Sequence, residues 1–140
     1  EYHLRFRIQT TPREITLKEG ESFFRKLENE AVKSLADVKN SLIAIGGGTL
    51  CLPENIELLR NLGWLVYLKT PSELLLERLM NRSKLPSYIE PENAGHSFKQ
   101  LLNQRLPLYE QNCHYCIDTS SENVLEIISN SALKEKYHGK

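Results

Sequence analysis

What this 140-residue sequence lacks excludes more than its abundances suggest. Cysteine occurs three times, as Cys51, Cys113 and Cys116, an odd number without the spacing of a disulfide framework. Cys113-His114-Tyr115-Cys116 would make half a zinc site, but no second ligand pair stands at suitable spacing, so reduced, half-buried thiols are expected. Neither sign of charge is in excess: Lys and Arg total 18, as do Asp and Glu, and the formal net charge is zero. That balance gives no support to nucleic-acid or membrane-surface binding, and any basic site must be local. Long apolar runs are missing too. Leu42–Ile45 and Trp64–Leu68 fall far short of the ~20 residues that a membrane-spanning helix needs. No leader-like segment opens the chain, so a soluble, cytoplasmic protein is expected. The chain opens on Glu1 without a Met, and residues 2–8 read like the tail of an element already under way, the pattern of a cut N-terminus.

What is present fits one ordinary globular domain over residues 1–140, with 40% hydrophobic and 26% charged residues. Helical and short apolar segments alternate, which predicts an α/β domain around a buried parallel sheet. Thr11-Pro12-Arg13-Glu14 is a capping box with Pro at the first helical position, and Gly20 a stop. From Glu21 to about Asp37, Phe24, Leu27, Ala31 and Leu35 recur at helical spacing and predict an apolar stripe. Leu42–Ile45 reads as a short buried strand running into Gly46-Gly47-Gly48. A helix over Pro53–Leu62 ended by Gly63, and a strand over Trp64–Leu68, come next. Thr70-Pro71-Ser72-Glu73 is a second capping box, for a helix reaching about Arg82. Residues 83–96, with Pro86, Pro91 and Gly95, read as a structureless loop of the length that is often functional. A helix over about Ser97–Gln111, a strand over Tyr115–Asp118 and a last helix from near Ser121 complete the pattern.

Four features could carry chemistry. Glycines at the C-terminal end of a parallel strand let backbone N–H groups approach a ligand closely, although tight turns use them as well. Arg25 lies at the edge of the apolar stripe with Glu21 and Glu28 four and three positions away, close enough to hold its guanidinium. An arginine fixed in that way suits bidentate capture of a carboxylate or phosphate; on the helix alone, a surface ion pair is the plainer reading. Arg105 stands two residues before Pro107, which removes a helical hydrogen bond and is expected to kink the backbone there. Arg78, Arg82 and Lys84 form a cationic group, either a solvated helix end favoured by the macrodipole or a phosphate-facing lid.

Taken in order, GESFFRKLE at 20–28, IAIGGGT at 43–49, LVYLKTPSELLLERL at 65–79, QRLPLYE at 104–110 and CIDTSSENV at 116–124 resemble the shikimate kinase family. The resemblance runs from about residue 11 to 130. It implies a three-layer, P-loop-kinase-like fold, a parallel sheet with helices on both faces, whose first strand and phosphate loop are absent from this chain. It implies transfer of the ATP γ-phosphoryl group to the 3-hydroxyl of shikimate, giving shikimate 3-phosphate in aromatic amino-acid biosynthesis. Arg25 and Arg105 match the arginines that grip the shikimate carboxylate, and Glu28 matches the residue that orients the first of them. Gly47, between Gly46 and Gly48, matches the backbone contact to the ring hydroxyls. Residues 83–96 match the lid that closes over both substrates and excludes water. Arg78 falls near the nucleotide phosphates, and Ser120 and Ser121 at the turn that borders the adenine. The expected partners are shikimate and ATP, without nucleic acid or membrane, and the expected state is a monomer.

The sequence departs from the family pattern in two places. Leu85 stands before the lid proline where the family has an arginine that stabilises the transferring phosphoryl group, so Lys84 or Arg82 would take that catalytic role. The pattern G-x-x-x-x-G-K-[ST] occurs nowhere, nor do the paired aspartates that follow it and supply the Mg2+ contact and the base for the shikimate hydroxyl. Both are expected upstream, with the Mg2+ ligands among them, and the 140 residues alone are expected to be inactive and poorly stable. The strand at 42–45 would then lack its neighbour toward 64–68. A non-catalytic, shikimate-binding regulatory module is the alternative from another class. A sugar-acid kinase of the same superfamily fits the paired arginines and triple glycine less closely.

Overall fold

Among the described helices one begins at a side-chain cap, and the others start without such a bond. The computed structural model describes residues 11–82, 85–86 and 89–120, and its first helix, α1, runs Pro12–Glu19. Thr11 Oγ1 accepts the Glu14 N–H at 3.3 Å while Glu14 Oε2 accepts the Thr11 N–H at 2.8 Å, closing the expected capping box. Gly20 follows with φ 87°, a left-handed value that glycine takes without strain, so α1 stops and α2 (Glu21–Lys33) starts at once. The predicted stripe of α2 is only half-buried at Phe24, Leu27 and Ala31, and Leu35 lies beyond the helix end; the buried positions are Glu28 and Val32. Helix α3 occupies Pro53–Leu62 and ends at Gly63 as expected. Val32, Leu50 and Leu59 form a core cluster, against which Ile56, Leu58, Leu65 and Tyr109 pack.

Strands β1 (Val66–Lys69) and β2 (Tyr115–Asp118) pair in parallel, Val66 opposite Tyr115 and Lys69 opposite Asp118. The first strand therefore sits slightly later than the expected Trp64–Leu68. Leu65 extends the pairing: its N–H donates to His114 Nδ1 at 2.9 Å, and its carbonyl accepts the His114 N–H at 2.8 Å. Parallel strands need a long crossover, provided here by helices α4 (Ser72–Met80) and α5 (Ala94–Asn112), which pack on each other. Helix α5 begins earlier than expected and continues through Pro107 to Asn112.

Four expectations need correction. Leu42–Ile45 is extended and unpaired, as expected for a segment without its neighbour, but it is exposed rather than buried, with Leu42 78% accessible, because no strand among the described residues lies beside it. The Thr70 capping box does not form: Pro71 is the N-cap of α4 without a side-chain bond, and Thr70 Oγ1 instead pairs with Thr119 Oγ1 at 2.7 Å. Residues 83–96 are not structureless throughout. Pro91–Asn93 makes a 3-10 turn, α5 has begun by Ala94, and Ile89 is buried, its N–H donating to the Pro86 carbonyl at 3.1 Å. Among the free cysteines only Cys113 is half-buried, and burial pushes its thiol pKa up. Cys116 is exposed because β2 turns alternate residues outward, and Ile117 takes the buried side. The expected last helix and the opening segment at 2–8 lie outside the described residues.

Ile117 is 1% exposed, in the strand that follows the crossover. Ile117→Ala is expected to lower stability by about 2–5 kcal/mol, the usual cost of emptying a packed site. Ile117→Val is expected to cost about 1 kcal/mol. Equilibrium urea unfolding checks both, and equal losses would contradict the tight packing described for β2.

Candidate functional site

Helix α2 places Arg25 and Glu28 one turn apart on one face, and the glycine run crosses that face. Arg25 Nη1 donates to Glu28 Oε2 at 2.7 Å and Nη2 donates to Glu21 Oε1 at 3.0 Å, so two carboxylates grip the guanidinium from either side. The Arg25 side chain is 16% exposed, whereas Glu21 is mostly in solvent and Glu28 is buried. Burial alone would lower the Arg25 pKa; the hydrogen bonds and charges of Glu28 and Glu21 outweigh it and raise the value above its ordinary level. The cation is thus permanent and held in one orientation.

At Gly48 the Arg25 guanidinium leaves no room for a side chain, and at Gly47 the Tyr109 hydroxyl leaves little. A Cβ on Gly48 would stand 2.5 Å from Arg25 Nη1 and 2.6 Å from Nη2, closer than real Cβ atoms come. One on Gly47 would stand 3.0 Å from Tyr109 Oη and 3.7 Å from Arg105 Nη1, and one on Gly46 3.4 Å from Glu28 Oε1. The backbone therefore lies against Arg25 at Gly48 and beside Arg105 at Gly47. Tyr109, one turn after Arg105 on α5, donates its hydroxyl to the Gly47 carbonyl at 2.6 Å and so fixes the run from the other side. Two cations and a bare backbone meeting in this way suit an anionic ligand that also carries hydroxyl groups.

Of the residues singled out in the sequence, the structure brings together Arg25, Glu28, Gly46, Gly47, Gly48 and Arg105. Arg78, in the last turn of α4, and Arg82, just beyond it, are exposed and take no part in that cluster. Ser120 follows β2 in an exposed turn, where its N–H and hydroxyl both donate to Asp118 Oδ1, at 2.9 and 2.6 Å. Those bonds hold the Asp118 pKa below its ordinary value. Lys84 and Ser121 lie outside the described residues. Sequence reasoning missed Thr49, Asn55 and Tyr109 as members of the site; Thr49 and Tyr109 stood inside quoted motifs, whereas Asn55 gave no signal at all.

The sequence model of the shikimate kinase family matches residues 3–134. A shikimate kinase of Syntrophus aciditrophicus (strain SB) is 33% identical over 127 residues, 83% of this chain and 65% of the relative. One of Thermodesulfovibrio yellowstonii is 38% identical over 106 residues, 76% of this chain and 60% of the relative. The chain thus spans less than two thirds of the length of these relatives. Among solved structures, the shikimate kinase from Acinetobacter baumannii in complex with shikimate superposes with a TM-score of 0.82 at 32% identity, covering 96% of this chain and 74% of that one.

Two outcomes are expected from this geometry. Gly48→Ala should fold nearly normally, because the clash is with the far end of a side chain, yet it should weaken binding of a carboxylate ligand about tenfold by displacing the guanidinium. Calorimetric titration of the variant reads this directly, and undiminished affinity would refute the close approach. Asp118, whose folded pKa is depressed, contributes stability above its ordinary value of 3.8 and loses that contribution as pH falls through the lower folded value. Asp118→Asn should therefore reduce stability at neutral pH and leave it unchanged below that window, as thermal melts across the acid range would show.

Proposed function

The chain belongs to the shikimate kinase family, and from that premise we propose that the protein transfers the γ-phosphoryl group of ATP to the 3-hydroxyl of shikimate. In that reaction the hydroxyl oxygen attacks the γ-phosphorus, the bond to the bridging oxygen breaks, ADP leaves, and the hydroxyl proton passes to a base. The observation that carries the proposal is the meeting of Arg25 and Arg105 on the glycine run, with Arg25 already fixed by Glu21 and Glu28. In the proposed complex both arginines hold the shikimate carboxylate, and the backbone at Gly46, Gly47 and Gly48 contacts the ring hydroxyls. Such positioning lowers the orientational part of the barrier, which together with electrostatic stabilisation is what a phosphoryl-transfer enzyme supplies.

The remaining assignments are part of the same proposal. Residues 83–96 act as the lid, Arg78 and the turn at Ser120 and Ser121 face the nucleotide, and Lys84 or Arg82 stands in for the arginine that Leu85 replaces. Residues 1–140 form one partial kinase domain of a monomeric, cytoplasmic protein whose partners are shikimate and ATP, not nucleic acid or a membrane. No helix among the described residues is long and apolar enough to cross a membrane. The sequence holds no G-x-x-x-x-G-K-[ST] pattern, so the reaction requires a phosphate loop from residues beyond these. Mg2+ accompanies ATP in this reading, with its protein ligands in the same segment as the phosphate loop.

Leu85 favours a second reading, a non-catalytic module that binds shikimate without turning it over. Shikimate-dependent ADP release by the whole encoded protein distinguishes the two: turnover supports the kinase, and shikimate binding without turnover supports the module. Arg25→Lys and Arg105→Lys are each expected to raise the KM for shikimate roughly 10–100-fold, since an ammonium cannot reproduce the planar fork. The KM for ATP should change little. Steady-state kinetics of both variants settle the matter, and an unaltered shikimate KM would remove these arginines from the site.

A further inference from the structure

Among the described residues, the buried polar side chains are Glu28, Thr49 and Asn55, and all three belong to one hydrogen-bonded ring. Thr49 Oγ1 donates to Glu28 Oε1 at 2.6 Å. Asn55 Nδ2 donates to the Thr49 carbonyl at 2.9 Å, and Asn55 Oδ1 accepts from Asn29 Nδ2 at 2.7 Å. Asn29 follows Glu28 on α2, so the ring closes through the backbone of that helix. Three elements are tied by it: α2, the turn after the glycine run, and α3. Asn55 is 0% exposed, and no buried side-chain nitrogen or oxygen among the described residues lacks a partner.

A buried polar ring of this kind is costly unless every member is satisfied, and a packed apolar core would serve stability as well. Its geometry fits a different role. The two oxygens of Glu28 are divided, Oε2 for Arg25 and Oε1 for Thr49. Thr49 thus stops the carboxylate from rotating to chelate the guanidinium with both oxygens, which would turn the arginine toward Glu28. Arg25 uses one N–H on each terminal nitrogen for its glutamates, so the other donors of the planar fork can face a ligand. Asn55 holds the Thr49 carbonyl, and the Thr49 N–H donates to the Gly46 carbonyl at 3.0 Å, so the hydroxyl and the glycine run move as one piece.

We propose that Thr49, backed by Asn55 and Asn29, is a positioning residue that sets the orientation of Arg25 toward the substrate carboxylate. This rests on the shikimate-binding reading above, and the test separates the two. In the whole encoded protein, Thr49→Val keeps the shape and removes the hydroxyl, and Thr49→Ser restores it. The valine variant should raise the shikimate KM about tenfold, with kcat and the KM for ATP within about twofold of the parent, and the serine variant should return to the parent value. Asn29→Ala, at the half-buried end of the ring and so the gentler change, should raise the shikimate KM about threefold and serves if the valine variant does not fold. The Arg25 Nε–H resonance gives a readout independent of any substrate. It should be sharp and slow to exchange in the parent and in Thr49→Ser, and broadened in Thr49→Val or Asn29→Ala. An unchanged resonance in the variants, or an unchanged shikimate KM in an active protein, overturns the positioning role. A parent that neither binds nor phosphorylates shikimate, with the resonance changing as expected, overturns the substrate assignment and leaves the positioning of Arg25 intact.

Discussion

The buried carboxylate of Glu28 is the constraint on which the rest of this structure depends. A charge withdrawn from water is tolerated only with a partner and with its remaining lone pairs satisfied. Arg25 supplies the first condition and Thr49 the second, at 2.7 and 2.6 Å. Meeting both demands fixes three things at once. Helix α2 must present Arg25 and Glu28 one turn apart, the turn after the glycine run must lie over α2, and α3 must approach closely enough for Asn55 to hold the Thr49 carbonyl. The core cluster of Val32, Leu50 and Leu59 comes from the same three elements, so apolar packing and charge satisfaction reinforce one arrangement.

The glycine run answers a steric question rather than a conformational one. Only Gly20 has a left-handed φ among the described glycines; Gly48, and less strictly Gly47, are favoured by what lies beside them. Arg25 occupies the space of a Gly48 side chain, and the Tyr109 hydroxyl crowds that of Gly47, with Arg105 alongside. A backbone stripped of side chains between two guanidinium groups offers a ligand charge and directional main-chain bonds at the same spot.

Much of this was legible in the residues. Local rules located α1 through its Thr11 box, α3 between Pro53 and Gly63, and β2 to the residue, because caps, turn glycines and alternation act within a few positions. The Glu21–Arg25–Glu28 grip was legible for the same reason, being spaced at three and four residues on one helix. Local rules failed where a distant partner won. Thr70 met every requirement of a cap yet bonds to Thr119, 49 residues away. At Leu42–Ile45 the missing neighbour was expected, and what composition did not show is that the segment lies exposed without it. Asn55 looked like any polar residue on a helix, and only the tertiary approach of Asn29 and Thr49 made it a buried hub. The family resemblance supplied the link between Arg25, Gly47 and Arg105, which no periodicity contains.

The parallel register of β1 and β2 bears on the connectivity of the chain. Residues 65 and 114 are bonded to each other across 49 positions, and Tyr109 reaches Gly47 across 62. Closing a loop of that length costs on the order of 3 kcal/mol of chain entropy, a sum that covalent continuity keeps this small. A single backbone cut in the crossover would make the pairing an encounter between two separate pieces. The half carrying Arg25 and the half carrying Arg105 would then come together only as their concentration allowed.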